Sequence, residues 1–478
     1  MIPLMLLFLQ AGPYQTGVQA YSEHRYAEAI PWFEKAAAAG PQALVAQYML
    51  GNACVQAHED EKAVQAFAML FQVAPDSAAA HLLTAGMMLR AQAAAAPAAE
   101  KEAARALEID PHIPQAHYIL GGVALAHGDD PKALAELQQE IALNPGFALA
   151  YYRLGDAYEH RGAWDDAISA LQRSIWLNPN HSGPYALIGK AYLKRGDVDD
   201  AAGALRHAVQ MDPLDRGTRQ LFDQVSSPLS PAAVAPPSAP KPPAQGRKEY
   251  LAGRIQEAIP LLEKSRAAGT RNNELFFMLG NSYLQAHQVA KARAAFGELY
   301  GVAPESGAAR LFTAHMLMRL EFEDDAEAEL KAVLVREPKL PEAHFMLGEI
   351  AIYRAQLDRA VEELKREIAV NPSFAMAYYR LGDAYTRRED WEHAVPPLQR
   401  SVWLDPTYSG PYILLGKTYQ KQGDLAEAER MLRRALQMDP NNASAHYLLG
   451  RTLIQSGHPD EGKKLLQRWE ELKKASGQ

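Results

Sequence analysis

A 34-residue interval between glycines constrains this chain more than any other feature. Gly121, Gly155 and Gly189 are spaced in this way, as are Gly348, Gly382, Gly416 and Gly450. A proline follows each of the first six 24 positions later: Pro145, Pro179, Pro213, Pro372, Pro406 and Pro440. Self-similarity at such a period marks a helical solenoid, whose repeats are stabilised by their neighbours. Chains of this kind usually bind and seldom catalyse.

The segment from Leu149 to Asn180 shows what one period encodes. Tyr151, Leu154, Ala157 and Tyr158 have the i, i+3, i+4, i+7 spacing of an amphipathic helix. Gly162 then turns the chain without a Cβ penalty. A second stripe follows at Ala167, Leu171 and Ile175, and Asn178-Pro179 closes it, because proline cannot continue a helix. Two short antiparallel helices per unit result, hereafter the first and second helix of a repeat. Neither buries its apolar face alone, so units must stack. Gly155 sits mid-helix, where glycine costs about 1 kcal/mol relative to alanine. Its recurrence implies close approach of the partner helix, with small Ala167 expected opposite it.

These residues resemble the tetratricopeptide repeat family, whose pattern is an aromatic, Leu-Gly, Tyr, a mid-repeat Ala, a large apolar residue and a terminal Pro. Tyr151, Leu154-Gly155, Tyr158, Ala167, Leu171 and Pro179 meet it in order, as do Tyr378, Leu381-Gly382, Tyr385, Ala394, Leu398 and Pro406. The resemblance implies an all-α, right-handed superhelical solenoid. Some units depart from the pattern. Ala314 replaces one glycine, the unit around Gly86 carries two extra residues in the Ala91–Ala99 region, and Gly462 stands where the family has alanine in a last unit that reads as a cap.

Counting glycine positions gives six units from Gly17 to Gly189 and seven from Gly246 to Gly450. The expected organisation is a short apolar leader at 1–9, a first array at 10–225, a linker at 226–243 and a second array at 244–478. Arg216–Val225 is expected to close the first array with a solvating helix. Residues 228–243 read PLSPAAVAPPSAPKPP, an extended polyproline composition. Equivalent units of the two arrays are more alike than neighbours. YYRLGDAY occurs at 151–158 and 378–385, and LQRS precedes both Trp176 and Trp403. A six-unit block was therefore duplicated, which suits bivalent function.

Composition narrows the function classes. The net charge is −8, and residues 1–223 hold 16 basic against 25 acidic residues, so a general nucleic-acid role lacks its basic footprint. The single cysteine, Cys54, excludes an intrachain disulfide framework and reads as a small buried hydrophobe. Ile2–Leu9 is too short to span a membrane. It is similar to the apolar part of a secretory signal, and localisation leans toward export. No HExxH, phosphate loop or nucleophile elbow is present. His117, His344 and His446, in recurring Ala-His-aromatic triplets, read as packing residues. We therefore expect no enzyme activity, no cofactor and no metal.

The family resemblance implies that first helices line a concave groove where protein or peptide partners lie. Groove-facing positions then fall three before the signature glycine and one, four and five after it. The candidate partner-binding residues are Tyr118, Tyr152, Asp156, Lys190 and Lys194, then Phe345, Tyr379, Asp383, Lys417 and Lys421. Aromatic residues supply rigid contact area, and the repeated acidic-then-basic order would set the register of an extended segment. The plainer alternative is that the rings support adjacent repeats and the charges are solvated. Asn52 and Asn281 occupy clamp-like positions of chaperone-tail binders, but Tyr48 and Phe277 replace the clamp lysine. A second function class, self-association or envelope tethering through the convex face and apolar N-terminus, is kept beside the groove.

Overall fold

The computed structural model describes residues 12–38, 43–91, 95–226 and 244–475. The leader at 1–9 and nearly all of the linker at 226–243 lie outside them. The described residues form 27 α-helices from Pro13–Ser22 to Pro459–Ala475, with no strand among them. Helices pair in sequence order, as Ala148–His160 does with Trp164–Leu177 and Ala375–Arg387 with Trp391–Leu404. Arg216–Ser226 is an unpaired helix packed on Val198–Met211.

Where a repeat carries the signature glycine, that residue keys the helix pair. A Cβ on Gly155 would lie 2.5 Å from Leu171 Cγ, on Gly382 2.4 Å from Leu398 Cγ, and on Gly416 2.4 Å from Leu432 Cγ. The side chain seated against the glycine is thus the large apolar one; Ala167, expected opposite it, is fully buried, and its equivalents Ala133 and Ala201 bring their carbonyl oxygens to 3.5 Å from a Cβ on Gly121 and Gly189. Earlier repeats use phenylalanine in the same seat, Phe67 on Gly51 and Phe296 on Gly280. The turn after the first helix needs a left-handed residue. Gly162 supplies it at φ 70°, and Glu389 holds the equivalent place at φ 59°. At the C-terminal pair, Gly450 and Gly462 face each other, and a Cβ on either would meet the other's carbonyl oxygen, at 2.9 and 2.6 Å.

The chain divides into two compact units that do not coincide with the two arrays. One comprises residues 1–116 and 351–478, the other residues 117–350, and each joins part of the first array to part of the second. Within unit 2, Trp176 stacks on Phe277 with centroids 4.4 Å apart and rings 5° from parallel. The Arg173 guanidinium donates to the Leu299 carbonyl (2.8 Å), and buried Tyr151 meets Tyr300 edge-on at 6.1 Å. Within unit 1 the same contact is built with the arrays exchanged. Trp403 stacks on Tyr48 (5.0 Å, 8°), Arg400 donates to the Leu70 carbonyl (2.9 Å), and Tyr378 meets Phe71 at 6.1 Å. Arginine suits the role because its planar head both stacks and donates while its stem packs.

In unit 2 two more side chains of the second array reach the inserted helix. Arg319 donates to the Trp176 carbonyl (3.0 Å), and His315 bonds the Leu177 backbone. Burial pushes the His315 imidazole down to about 4; the nearby Arg319 charge adds to this and the Leu177 bond opposes it. The Gly86 position of the first array has no such side chain.

Two predictions follow from this packing. Gly155→Ala gains about 1 kcal/mol of helix propensity but overpacks the Leu171 seat at a cost of about 1–3 kcal/mol, so it lowers the melting temperature. Gly122, whose Cβ would meet nothing within 4 Å, is the control, and Gly122→Ala raises the melting temperature. Equal shifts in both variants would remove the packing account. His315 has a folded pKa (about 4) below its unfolded value, so the unfolded state binds the extra proton between them. Its contribution is complete above about pH 6.5 and is lost as pH falls toward 4, at most on the order of 3 kcal/mol. Urea midpoints of wild type and His315→Gln at pH 7.5 and pH 5 check this; the variant's midpoint falls less between the two pH values.

Candidate groove surface

First helices of consecutive repeats touch one another as well as their own partners. In unit 1 Ala375–Arg387 contacts Ser409–Gln422, which contacts Ala443–Gln455; in unit 2 Ala148–His160 contacts Ser182–Arg195. That contact brings consecutive first helices, which carry the candidate residues, side by side within each unit.

In the first array, all five candidates lie in unit 2. The Tyr118 ring meets Phe147 of the next repeat at 5.0 Å, and Tyr152 meets His181 at 5.1 Å, both edge-on. Arg153 lies over the Tyr152 face at 5.9 Å and bonds Tyr118, so the two rings and one cation form a continuous row. Burial pushes the Tyr152 phenol up, and the nearby Asp156 adds to the shift. Asp156 sits between Arg153 (3.8 Å) and His160 (3.7 Å). Lys190 is neutralised by Glu159 at 2.6 Å. Burial raises the Glu159 carboxyl and the bond from Lys190 works against it. Lys194 is exposed and has no ion pair among the described residues.

The second array repeats the pattern with one consequential change. Tyr379 meets Tyr408 at 5.3 Å with perpendicular rings, and Arg380 lies over its face at 5.3 Å. Burial raises the Tyr379 phenol, Tyr408 contributing next. Asp383 is paired with Arg387 at 3.0 Å and Arg380 at 3.9 Å. Thr386 occupies the place of Glu159 and donates to the Gly382 carbonyl at 2.8 Å instead. Lys417, the counterpart of Lys190, therefore lacks the carboxylate that Glu159 supplies in the first array. It and Lys421 each lie 5.9 Å from the Trp391 ring, and neither has an ion pair among the described residues. Arg451 extends this row, donating to Tyr447 Oη at 3.2 Å. Phe345 is buried in unit 2.

Unit 1 thus gathers Tyr379, Asp383, Lys417 and Lys421 on consecutive first helices, and unit 2 gathers Tyr118, Tyr152, Asp156, Lys190 and Lys194. Other members of the aromatic stripe are already engaged: Tyr48 lies under Trp403 and Phe277 under Trp176. Asn52 and Asn281 are engaged too, with the Tyr48 carbonyl (2.9 Å) and Tyr250 Oη (2.7 Å). Among the sequence candidates for chemistry, His117 is held by Glu136 at 2.6 Å and His446 by the Pro440 carbonyl at 2.9 Å. Cys54 is buried, and burial pushes its thiol up to about 12. No group of three or more His, Cys, Asp or Glu is placed to hold a metal ion among the described residues, and no helix there is long and apolar enough to cross a membrane.

Sequence reading missed the Trp391 platform and the two array-to-array anchors, Arg173/Trp176 and Arg400/Trp403. Their signal was present as the repeated LQRS before each tryptophan, but periodicity names only neighbours in the stack.

Comparison with known proteins bears on the family. Three family models, each described as "Tetratricopeptide repeat", match residues 20–86 and 419–475, residues 148–181, and residues 90–146, 277–341 and 345–409. A comparison with curated proteins returned no match. Among solved structures, MamA from Desulfovibrio magneticus RS-1 is 22% identical over 34% of this chain and 92% of its own, with a TM-score of 0.32. YrrB, titled a TPR protein with an unusual peptide-binding site, is 20% identical over 38% and 93% at TM-score 0.33. The APC/C hetero-tetramer Cut9–Hcn1 is 13% identical over 95% and 92% at TM-score 0.36. Family models thus cover repeats in both arrays, in phase with the glycine period and the helix pairs, and the chain belongs to the tetratricopeptide repeat family.

Proposed function

We propose that this protein is a non-catalytic scaffold that holds protein or peptide segments in the concave grooves of its two arrays. Tyr118, Tyr152, Asp156, Lys190 and Lys194 would serve in the first, and Tyr379, Asp383, Lys417 and Lys421 in the second; Phe345 is buried in unit 2 and is left out of the site. A fold of this family supports a protein-interaction scaffold in general; the residue assignment rests on the side chains themselves. The observation that carries it is the row of Lys417 and Lys421 on Trp391, cations poised on an aromatic face without an ion pair among the described residues. A segment bearing carboxylates completes such a site, whereas Lys190 is already satisfied by Glu159. The grooves therefore differ in preference, with the second favouring acidic segments. Binding there should weaken as salt rises, since exposed charges are screened.

Two measurements test this reading. Capture of partners from the native source is compared between wild type and Tyr152→Ala/Lys190→Glu/Tyr379→Ala/Lys417→Glu, with folding verified by circular dichroism. Partners lost by the folded variant place binding in the grooves; partners retained move it to another surface. Thr386→Glu installs beside Lys417 the carboxylate that the first array carries. It should weaken binding of an amidated glutamate-rich peptide, followed by fluorescence anisotropy, by about tenfold, equivalent to about 1.4 kcal/mol. An unchanged affinity would remove the charge preference.

A further inference from the structure

The contact between arrays is made twice, and its two sides come from a duplicated block. The inserting side is Tyr151, Arg173 and Trp176 in the first array and Tyr378, Arg400 and Trp403 in the second, identical residue types throughout. The receiving side is Tyr48, Leu70 and Phe71 in the first and Phe277, Leu299 and Tyr300 in the second. The receiving sides differ only by where one phenol oxygen sits, because the leucine contributes its backbone carbonyl. Ring stacking, edge-on contact and the arginine-to-carbonyl bond all survive that difference.

We propose that the tryptophan-bearing end of each fifth-repeat second helix recognises the second-repeat groove of any copy of this block, so that a second copy of the chain binds by reciprocal exchange. Three observations support it beyond the presence of apolar surface. The same six-residue geometry forms in both units with the arrays interchanged, so it depends on local chemistry and not on which array supplies it. Its centre is sealed: Tyr151 is 1% exposed and Tyr378 2%, as in a protein interior. The arginine reads a main-chain carbonyl, which every copy presents. A chain that donates both tryptophans to a partner and receives both in return makes no contact that it lacks alone. What favours the closed single chain is the high effective concentration of tethered arrays, and what favours exchange is protein concentration or loss of one intrachain contact. This inference goes beyond groove binding, since it uses second-repeat positions that the proposed ligand sites do not include.

Complementation between full-length chains tests it. Trp176→Ala/Trp403→Ala cannot insert but can receive; Tyr48→Ala/Phe277→Ala cannot receive but can insert. Size-exclusion chromatography with light scattering should show each variant alone at the monomer mass of 52.6 kDa. An equimolar mixture should show a 1:1 complex of twice that mass. Two variants that melt cooperatively yet remain separate when mixed would overturn the proposal. Should either variant fail to fold, wild-type chains with and without ¹⁵N are refolded together from urea at low and high concentration. Native mass spectrometry should then find mixed-label dimers whose fraction rises at least severalfold with concentration. Only monomers at every concentration would overturn it equally.

Discussion

A leucine or phenylalanine seated where a Cβ is missing sets the distance between the two helices of a repeat, and everything else is hung on that spacing. In an ordinary helix pair, side chains from both partners interdigitate and hold the axes about 8–10 Å apart. Here one partner contributes no side chain at the crossing, so Leu171, Leu398 and Leu432 reach the backbone of the facing helix. Close first and second helices leave room for neighbouring first helices to touch, and that contact sets the helices that carry the candidate side chains side by side. The helix-propensity cost of a mid-helix glycine is thereby exchanged for close packing within each repeat.

Most of the fold was legible in the sequence because its determinants are local and periodic. Stripes, turn glycines and closing prolines each act within one repeat, and duplication displays them many times over. The details that escaped are those in which a residue answers to something distant. The small residue twelve positions after each glycine is the partner expected from the sequence, but the side chain that fills the gap glycine opens is the leucine one turn further on, Leu171 at Gly155. Tyr48 and Phe277 share the period of the groove stripe, but each is covered by a tryptophan about 100 to 350 residues away. Nothing in the spacing of either residue encodes that partner.

The candidate site was legible to a lesser degree, and its two halves show why. Position after the glycine proposes which side chains share a face. Whether a charge on that face is free depends on its neighbour across the repeat boundary, and there the arrays diverge. Glu159 occupies Lys190, whereas Thr386 turns to its own helix and leaves Lys417 beside the Trp391 ring without an ion pair among the described residues. The signs of the charges were retained by both copies, while their availability was not. The aromatic residues have a double role, since Tyr152 and Tyr379 each brace the next repeat through His181 and Tyr408 and present an edge beside the charges.

The exchanged tryptophan contact also bears on how such a chain diverges after duplication. A substitution in the receiving groove of one array is tested against the inserting helix of the other, never against its own. Drift in either copy is therefore policed by its sister, and a change tolerated on one side needs a matching change across the linker. Tyr48 and Phe277 can exchange a hydroxyl freely because a stacked indole is indifferent to it, whereas Arg173, Trp176, Arg400 and Trp403 have no such latitude. Selection on one contact thus preserves the likeness of equivalent repeats, and the memory of the ancestral block is kept by physics at the points where the two copies meet.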